Sequence, residues 1–323
     1  MGLSARGIRE AVMALLNFTR RKGGSDGPAD LSSVLAGYSI EVMPRTAAKV
    51  EDFRALLPEG TRVYIAHIEG TPIEEMVATA KRLAEDGFPV MPHFPARIIK
   101  DKATLAEWIK RYQGEAGVRQ ALLLAGGVAQ PHGTFDSSMQ LLETGLFDAH
   151  GFTHLHVAGH PEGNRDIDPS GGDRAVMEAL RWKQAFSERT DAQMAMATQF
   201  AFEAAPILGW ADRLAAEGIT LPIHLGIAGP AKLQTLIKFA IACGVGPSLK
   251  VLQKRAMDVT KLMLPYEPTE VLADLAAGQA AGRGALIEQV HLFPLGGIRT
   301  CADFANAQLS GPATARQGDR GRR

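Results

Sequence analysis

The chain is poor in several features that would narrow its class at once. Only two cysteines occur in 323 residues, Cys243 and Cys301. Two thiols build neither a disulfide framework nor, by themselves, a structural zinc site. Net charge is lacking too: 35 basic residues balance 35 acidic ones, so no bulk attraction draws the chain onto a nucleic acid or an anionic membrane. No run of about 18 consecutive apolar residues occurs, and no membrane span is expected. The short apolar patch at 11–16 is broken by Asn17, Thr19 and Arg20. It reads as an amphipathic helix rather than a secretory leader, and Arg6 stands where a myristoylation signal needs Ser or Thr. The reading is cytoplasmic, with no nucleic-acid or membrane partner. Aromatics amount to 6%, whereas glycine numbers 34. With abundant alanine, that mix suits helices packed closely on a sheet better than a β-sandwich.

What is present is an alternation. Eight β-rich runs, at 38–42, 62–68, 89–94, 120–124, 153–158, 193–199, 221–226 and 289–295, are separated by helical patterns. Their mixture of continuous and alternating apolar residues fits parallel strands buried on both faces. Helices are expected at 73–83, with Thr71-Pro72 at its start, and at 103–112, 206–215 and 232–242. Eight β-then-α units in about 260 residues predict a (β/α)8 TIM barrel. A doubly wound sheet is the alternative, but no glycine fingerprint follows the first strand. Residues 1–37 read as a short helical N-terminal extension, 38–309 as the barrel, and 310–323 as a disordered tail. The long gaps 159–192 and 227–288 call for extra helices or loops.

In such barrels the reactive groups sit where strands hand over to the following loops. Glu41, His67, Glu69, His93, Gly126, Gly127, His160, Glu162, Asn164, Gln199, Glu203 and His224 are expected at those handovers. Burial at a strand end would raise the Glu41 pKa and make it a general acid; ion pairing with Arg45 is the structural alternative. His93 could donate to a ligand or be satisfied by its surroundings. The loop 156–164 and the Gly126-Gly127 turn could bring backbone close to a flat ligand, or be plain surface. The Gln199 amide both donates and accepts, as a pterin or flavin edge requires. His154, His156 and His160 lack familiar ligand intervals, so no metal is expected.

Five segments then fall in register with one family. Ser39-Ile40-Glu41-Val42-Met43-Pro44-Arg45, Pro92-His93, Val157 to Asn164 (VAGHPEGN), Ala197 to Phe202 (ATQFAF) and Pro222-Ile223 with Gly226-Ile227 resemble, in the same order, motifs of the methylenetetrahydrofolate reductase family. The resemblance covers roughly 38–300. It implies a flavin barrel that binds FAD, takes hydride from NADH or NADPH, and reduces 5,10-methylenetetrahydrofolate to 5-methyltetrahydrofolate in one-carbon metabolism and methionine biosynthesis. It implies that Glu41 protonates the bridging nitrogen of the folate. His67, His93, Gly126, Gly127, His160 and Asn164 would lie on the cofactor side, with Arg181 and Lys183 facing its phosphates or ribityl chain. Gln199, Phe200 and Leu233 would meet the folate. Barrels of this kind often form homo-oligomers.

The departures fall at the cofactor face. The family's Arg-Gly-Asp after the fourth strand is Ala125-Gly126-Gly127 here, so a carboxylate that would stabilise a developing cation is missing. Asp136, Glu162 or Asp166 could replace it if it reached in. Two further readings follow: a folate enzyme that has lost or altered its flavin use, with hydride passing directly from the nicotinamide, and a non-catalytic folate-binding barrel.

Overall fold

A computed structural model describes residues 30–243, 250–253 and 265–310. The expected N-terminal helix at 11–16 and all but the first residue of the expected tail lie outside the described residues. Eight strands form one sheet: β1 Ser39–Val42, β2 Val63–Ile65, β3 Val90–Pro95, β4 Gln120–Leu124, β5 His154–Gly159, β6 Gln193–Thr198, β7 Ile223–Ala228 and β8 Ile287–Phe293. Every neighbouring pair is parallel, and β8 closes on β1 through His291 against Ser39 and Leu292 against Ile40. This is a (β/α)8 barrel.

The strands occupy the expected places, with β2 shorter than the expected 62–68 and with β7 and β8 shifted along the chain. β7 begins at Ile223, after Pro222, which has no N–H to give the ladder. β8 ends at Phe293, before Pro294, for the same reason. The helix Ile73–Glu85 starts with Pro72 as its cap residue. The helix Lys102–Ala116 is capped by the Asp101 carboxylate, which accepts from the Thr104 N–H at 2.8 Å, and ends at Gly117 with φ +63°. Both ends thus carry the residue types that satisfy orphan backbone groups.

Alternate residues of each strand face opposite ways. One set, including Ile40, Val42, Val63, Ile65, Leu155, Val157, Leu225 and Leu292, joins Met76, Leu83, Ile109, Leu141, Ile207 and Leu272 of the helices in the main apolar core. The other set fills the lumen, where barrels ordinarily place bulky branched residues. Here the lumen is largely polar: Ser39, Glu41, Tyr64, His93, His156, His224 and His291. The Tyr64 hydroxyl lies 2.6 Å from His156 Nδ1 and 3.2 Å from His224 Nδ1. Ser39 Oγ lies 2.9 Å from His291 Nδ1. The Tyr64 and His291 rings pack at 4.3 Å. Met91, Leu122 and Ala197 fill the remaining space beside Tyr64. Close strand packing also needs Gly226, where a Cβ would stand 2.5 Å from the Thr198 carbonyl oxygen and 2.6 Å from that of Gln199.

The long segment before β8 departs from the plain β/α alternation. After β7 the chain leaves the barrel, forms the helix Leu233–Ala242, and returns at Tyr266. There Ala231 and Tyr266 exchange two backbone hydrogen bonds, of 3.1 and 2.9 Å. The helix Thr269–Ala280 then packs against Ala204–Ala216 and leads into β8. Among the described residues no helix is long and apolar enough to cross a membrane.

The buried imidazoles make stability depend on pH. Burial, helped by the Arg62 charge, pushes His224 down to about 3, and burial with Lys183 nearby pushes His160 down to about 4. His156 is also well below its usual value, first through burial. The unfolded chain takes up protons on these rings near pH 6.5, whereas the folded chain does not until the lower values are reached. Their contribution is therefore complete above about pH 6.5 and is lost as the pH falls toward the folded values. We expect thermal denaturation to show a melting temperature falling between about pH 6.5 and pH 4, with a shallower fall in His224→Gln. Each ring adds a slope of up to about 1.4 kcal/mol per pH unit. A flat profile over that range would contradict the buried neutral assignment.

Candidate active site at the carboxyl mouth

Glu41 is the third residue of β1 and faces the lumen near the carboxyl end of the strands. His93, from β3, places Nε2 3.3 Å from Glu41 Oε2, and His291, from β8, places Nε2 3.8 Å from the same oxygen. Burial alone would raise the carboxyl pKa, as the sequence led us to expect. The His291 and His93 imidazoles outweigh it and lower it to about 2. The expectation of a raised pKa is therefore corrected: the carboxylate is ionised at rest, and its partners are two imidazoles rather than Arg45. His291 is itself pushed down by burial, with the Glu41 side chain pulling the other way.

Two ring nitrogens at this end are buried without a hydrogen-bond partner. They are His93 Nε2, whose contact with Glu41 is an ion-pair distance without hydrogen-bond geometry, and His67 Nδ1. His67 follows β2, rests on Trp108 with ring centroids 4.9 Å apart, and uses Nε2 against the Thr71 carbonyl at 3.0 Å. Burial lowers its pKa. Buried polar atoms are nearly always paired, so two orphans beside an ionised carboxylate mark the place where a polar ligand would find partners.

The remaining candidates separate into three groups. Gly126 and Gly127 follow β4; Gly126 has φ +101°, and a Cβ there would sit 3.1 Å from Pro95 Cβ, so glycine is required for the turn. Gly127 is exposed, as is Gln199 at the end of β6. His160 and Asn164 share the loop after β5, with Asn164 Nδ2 3.4 Å from His160 Nδ1. Asn164 Oδ1 also accepts from the backbone N–H of Asp166 at 2.9 Å. These residues stay at the mouth.

Arg181 does not face it, whereas Lys183 reaches its edge near His160. Arg181 pairs with Glu217 at 2.8 Å on the outer helical layer. Lys183 is buried, donates to the Ala158 carbonyl at 2.9 Å, and is lowered by burial to about 8. Phe200 and Leu233 are buried with Phe202, Leu236 and Tyr266 in a second apolar cluster, so the aromatic motif at 200–202 builds core where a substrate surface was expected. The Cys243 thiol, at the end of Leu233–Ala242, is pushed up to about 11, chiefly by burial.

Asp136 and Asp166, expected as possible carboxylates for the site, are both held by Arg97. Arg97, following β3, holds Asp136 Oδ1 at 2.8 Å through Nε, and Asp166 Oδ2 at 2.8 Å and the Val128 carbonyl at 3.2 Å through Nη1. One guanidinium therefore ties the loop after β4 to the loop after β5. Sequence reasoning passed over Arg97, and it passed over Ser39, Tyr64 and His291 as well. The signal for the last three was period-two placement on strands already assigned. Among the described residues no group of three or more His, Cys, Asp or Glu is arranged to hold a metal ion. No protein-family model matches the chain.

Replacing Arg97 by Gln removes both ion pairs. Because both aspartates are more than half exposed, they regain water, and we expect a loss of about 1–3 kcal/mol in urea denaturation. Limited proteolysis should then cut within 126–137 or 160–173 before any other described loop. Unchanged cleavage would show that Arg97 does not hold these loops.

Proposed function

We propose that the chain is a folate-dependent oxidoreductase that reduces 5,10-methylenetetrahydrofolate to 5-methyltetrahydrofolate with hydride from NADH or NADPH, in cytoplasmic one-carbon metabolism. The observation that carries this reading is the ionised Glu41 set between His93 and His291 at the carboxyl mouth, with two buried ring nitrogens unpaired beside it. The five colinear motifs that resemble methylenetetrahydrofolate reductases supply the substrate class.

Opening the folate's five-membered ring requires one proton at the bridging nitrogen as its bond to the methylene carbon breaks. The electron pair stays on that nitrogen, and the resulting iminium carbon accepts hydride from the nicotinamide. A carboxylate lowered to about 2 is a poor acid by itself. A proton held between Glu41 and His291 is a better donor, and the carboxylate left after transfer stabilises the neighbouring cation electrostatically. That second role partly replaces the aspartate absent at Gly127.

The residues implied for FAD do not fit as a set. Arg181 is bound to Glu217, Lys183 to a backbone carbonyl, and two of the acids considered for the Gly127 position, Asp136 and Asp166, are held by Arg97. No step is assigned to a flavin, and direct hydride transfer from nicotinamide to folate is the form of the reaction these contacts favour.

Purified protein should oxidise NADH or NADPH only when methylenetetrahydrofolate is added, and its absorption spectrum should lack flavin bands. Glu41→Gln should lower kcat by about a hundredfold or more at a temperature where the variant is still folded, while its melting temperature falls with the lost pairing to His93 and His291. Turnover near that of the unsubstituted chain would remove Glu41 from the chemistry. Stoichiometric bound FAD would overturn the flavin-free form alone, and nicotinamide oxidation that ignores folate would overturn the whole reading.

A further inference from the structure

We propose that the amino end of the barrel carries a second binding site, for a small phosphate- or carboxylate-bearing anion, built on Arg62 with the imidazoles of His154, His156 and His224. It lies at the opposite end of the lumen from Glu41 and does not depend on the assignment made there. A cavity of about 710 Å³ opens among the strand beginnings, lined in part by Arg62, His154, His156, Gln193, His224 and Glu288. The amino face of a barrel ordinarily serves stability and is filled accordingly. Here it is open and polar.

Arg62 precedes β2 and uses Nε to donate to Gln120 Oε1 at 2.8 Å. The guanidinium also meets the Tyr64 side chain, but no acidic side chain pairs with it among the described residues, so its charge and its remaining donors are left for a carboxylate or phosphate. A second donor is built in. The Tyr64 hydroxyl has one proton and touches Nδ1 of both His156 and His224. A neutral imidazole carries a proton on only one nitrogen. The ring that accepts the Tyr64 proton at Nδ1 must therefore bear its own on Nε2. Whichever of the two rings that is, one Nε2–H is directed away from the tyrosine, and both rings line the cavity. His156 and His224 are almost wholly buried, which fixes these donors in place.

The charges facing the cavity come from four strands. Arg62 and Tyr64 belong to the β2 region, His154 and His156 to β5, His224 to β7, and Glu288 to β8, where His291 lies deeper in the lumen. Glu288 Oε2 stands 3.4 Å from His224 Nε2 at the exposed rim. After burial, the Arg62 charge is among the causes that lower His154, His156 and His224. An anion beside Arg62 would cancel that repulsion, so binding should draw protons onto the imidazoles and tighten as the pH falls below neutral. Glu288 opposes the ligand as a like charge.

Isothermal titration of the full chain with inorganic phosphate, and separately with succinate, in buffers of different ionisation enthalpy, tests the site. Saturable heat with proton uptake that grows at lower pH is expected, and the anion that saturates identifies the class. Arg62→Gln should weaken binding by about tenfold or more. Glu288→Gln should tighten it, an opposite sign that misfolding would not produce. Glu41→Gln should leave it unchanged. The proposal is overturned if neither anion gives saturable heat, if Arg62→Gln binds like the unsubstituted chain, or if Glu41→Gln abolishes the heat, which would move the anion to the carboxyl mouth.

Discussion

The Tyr64 hydroxyl is the contact on which the barrel interior turns. Closing eight parallel strands encloses a lumen that water does not freely reach, and a buried polar group left unpaired there costs about 1–3 kcal/mol. Tyr64 meets this by bridging β5 and β7 through His156 and His224, while its ring supports His291 of β8. Ser39 of β1 holds the other edge of His291. The ring that faces Glu41 is thus fixed from two sides before any ligand is considered. A lumen of branched aliphatic residues would have been cheaper to fill, but it could not have set the direction of a carboxylate.

The same column of side chains has a different charge at each end. Glu41 is ionised at the carboxyl mouth, Arg62 stands unpaired among the described acids at the amino end, and neutral imidazoles occupy the space between. Each terminal charge is held by a different influence: the carboxylate by the rings that face it, and the rings below by burial and the guanidinium. A low-dielectric interior lets such charges act on their neighbours far more strongly than they would in water. That is why the sign of the Glu41 shift depends on which rings share its pocket rather than on burial alone.

The barrel was legible because its signal is repetitive and local. Eight apolar runs at β/α spacing need no long-range information, and proline positions explain the residual boundary shifts at β7 and β8. Glu41 and His93 were legible for the same reason, as polar residues at strand ends. What could not be read was pairing. Ser39 and His291 lie 252 positions apart, and the pKa of Glu41 is reversed by that distant strand. Arg181 has the composition of a phosphate ligand, yet helix periodicity does not say which neighbouring helix its face meets; the neighbour supplies Glu217. Phe200 and Leu233 failed in the opposite sense, because an aromatic motif beside a reactive amide looks alike whether it builds a wall or a floor. The polar lumen itself left a trace in Tyr64 between Val63 and Ile65, and in His291 between Val290 and Leu292, where single polar residues interrupt apolar strands at the inward phase.

The paired backbones of Ala231 and Tyr266 bring the two stems of the excursion together before the chain re-enters the barrel cycle. The helix between the stems is held by more than that junction, because Leu233, Leu236 and Ala240 pack with Phe200, Phe202 and Tyr266. The entropy of closing a loop grows only slowly with its length, so it is this packing and not the length of chain between the stems that ties the excursion to the cylinder. A change on the inner face of that helix would therefore be felt first at Phe200 and Phe202, just beyond the end of β6, before it reached the lumen.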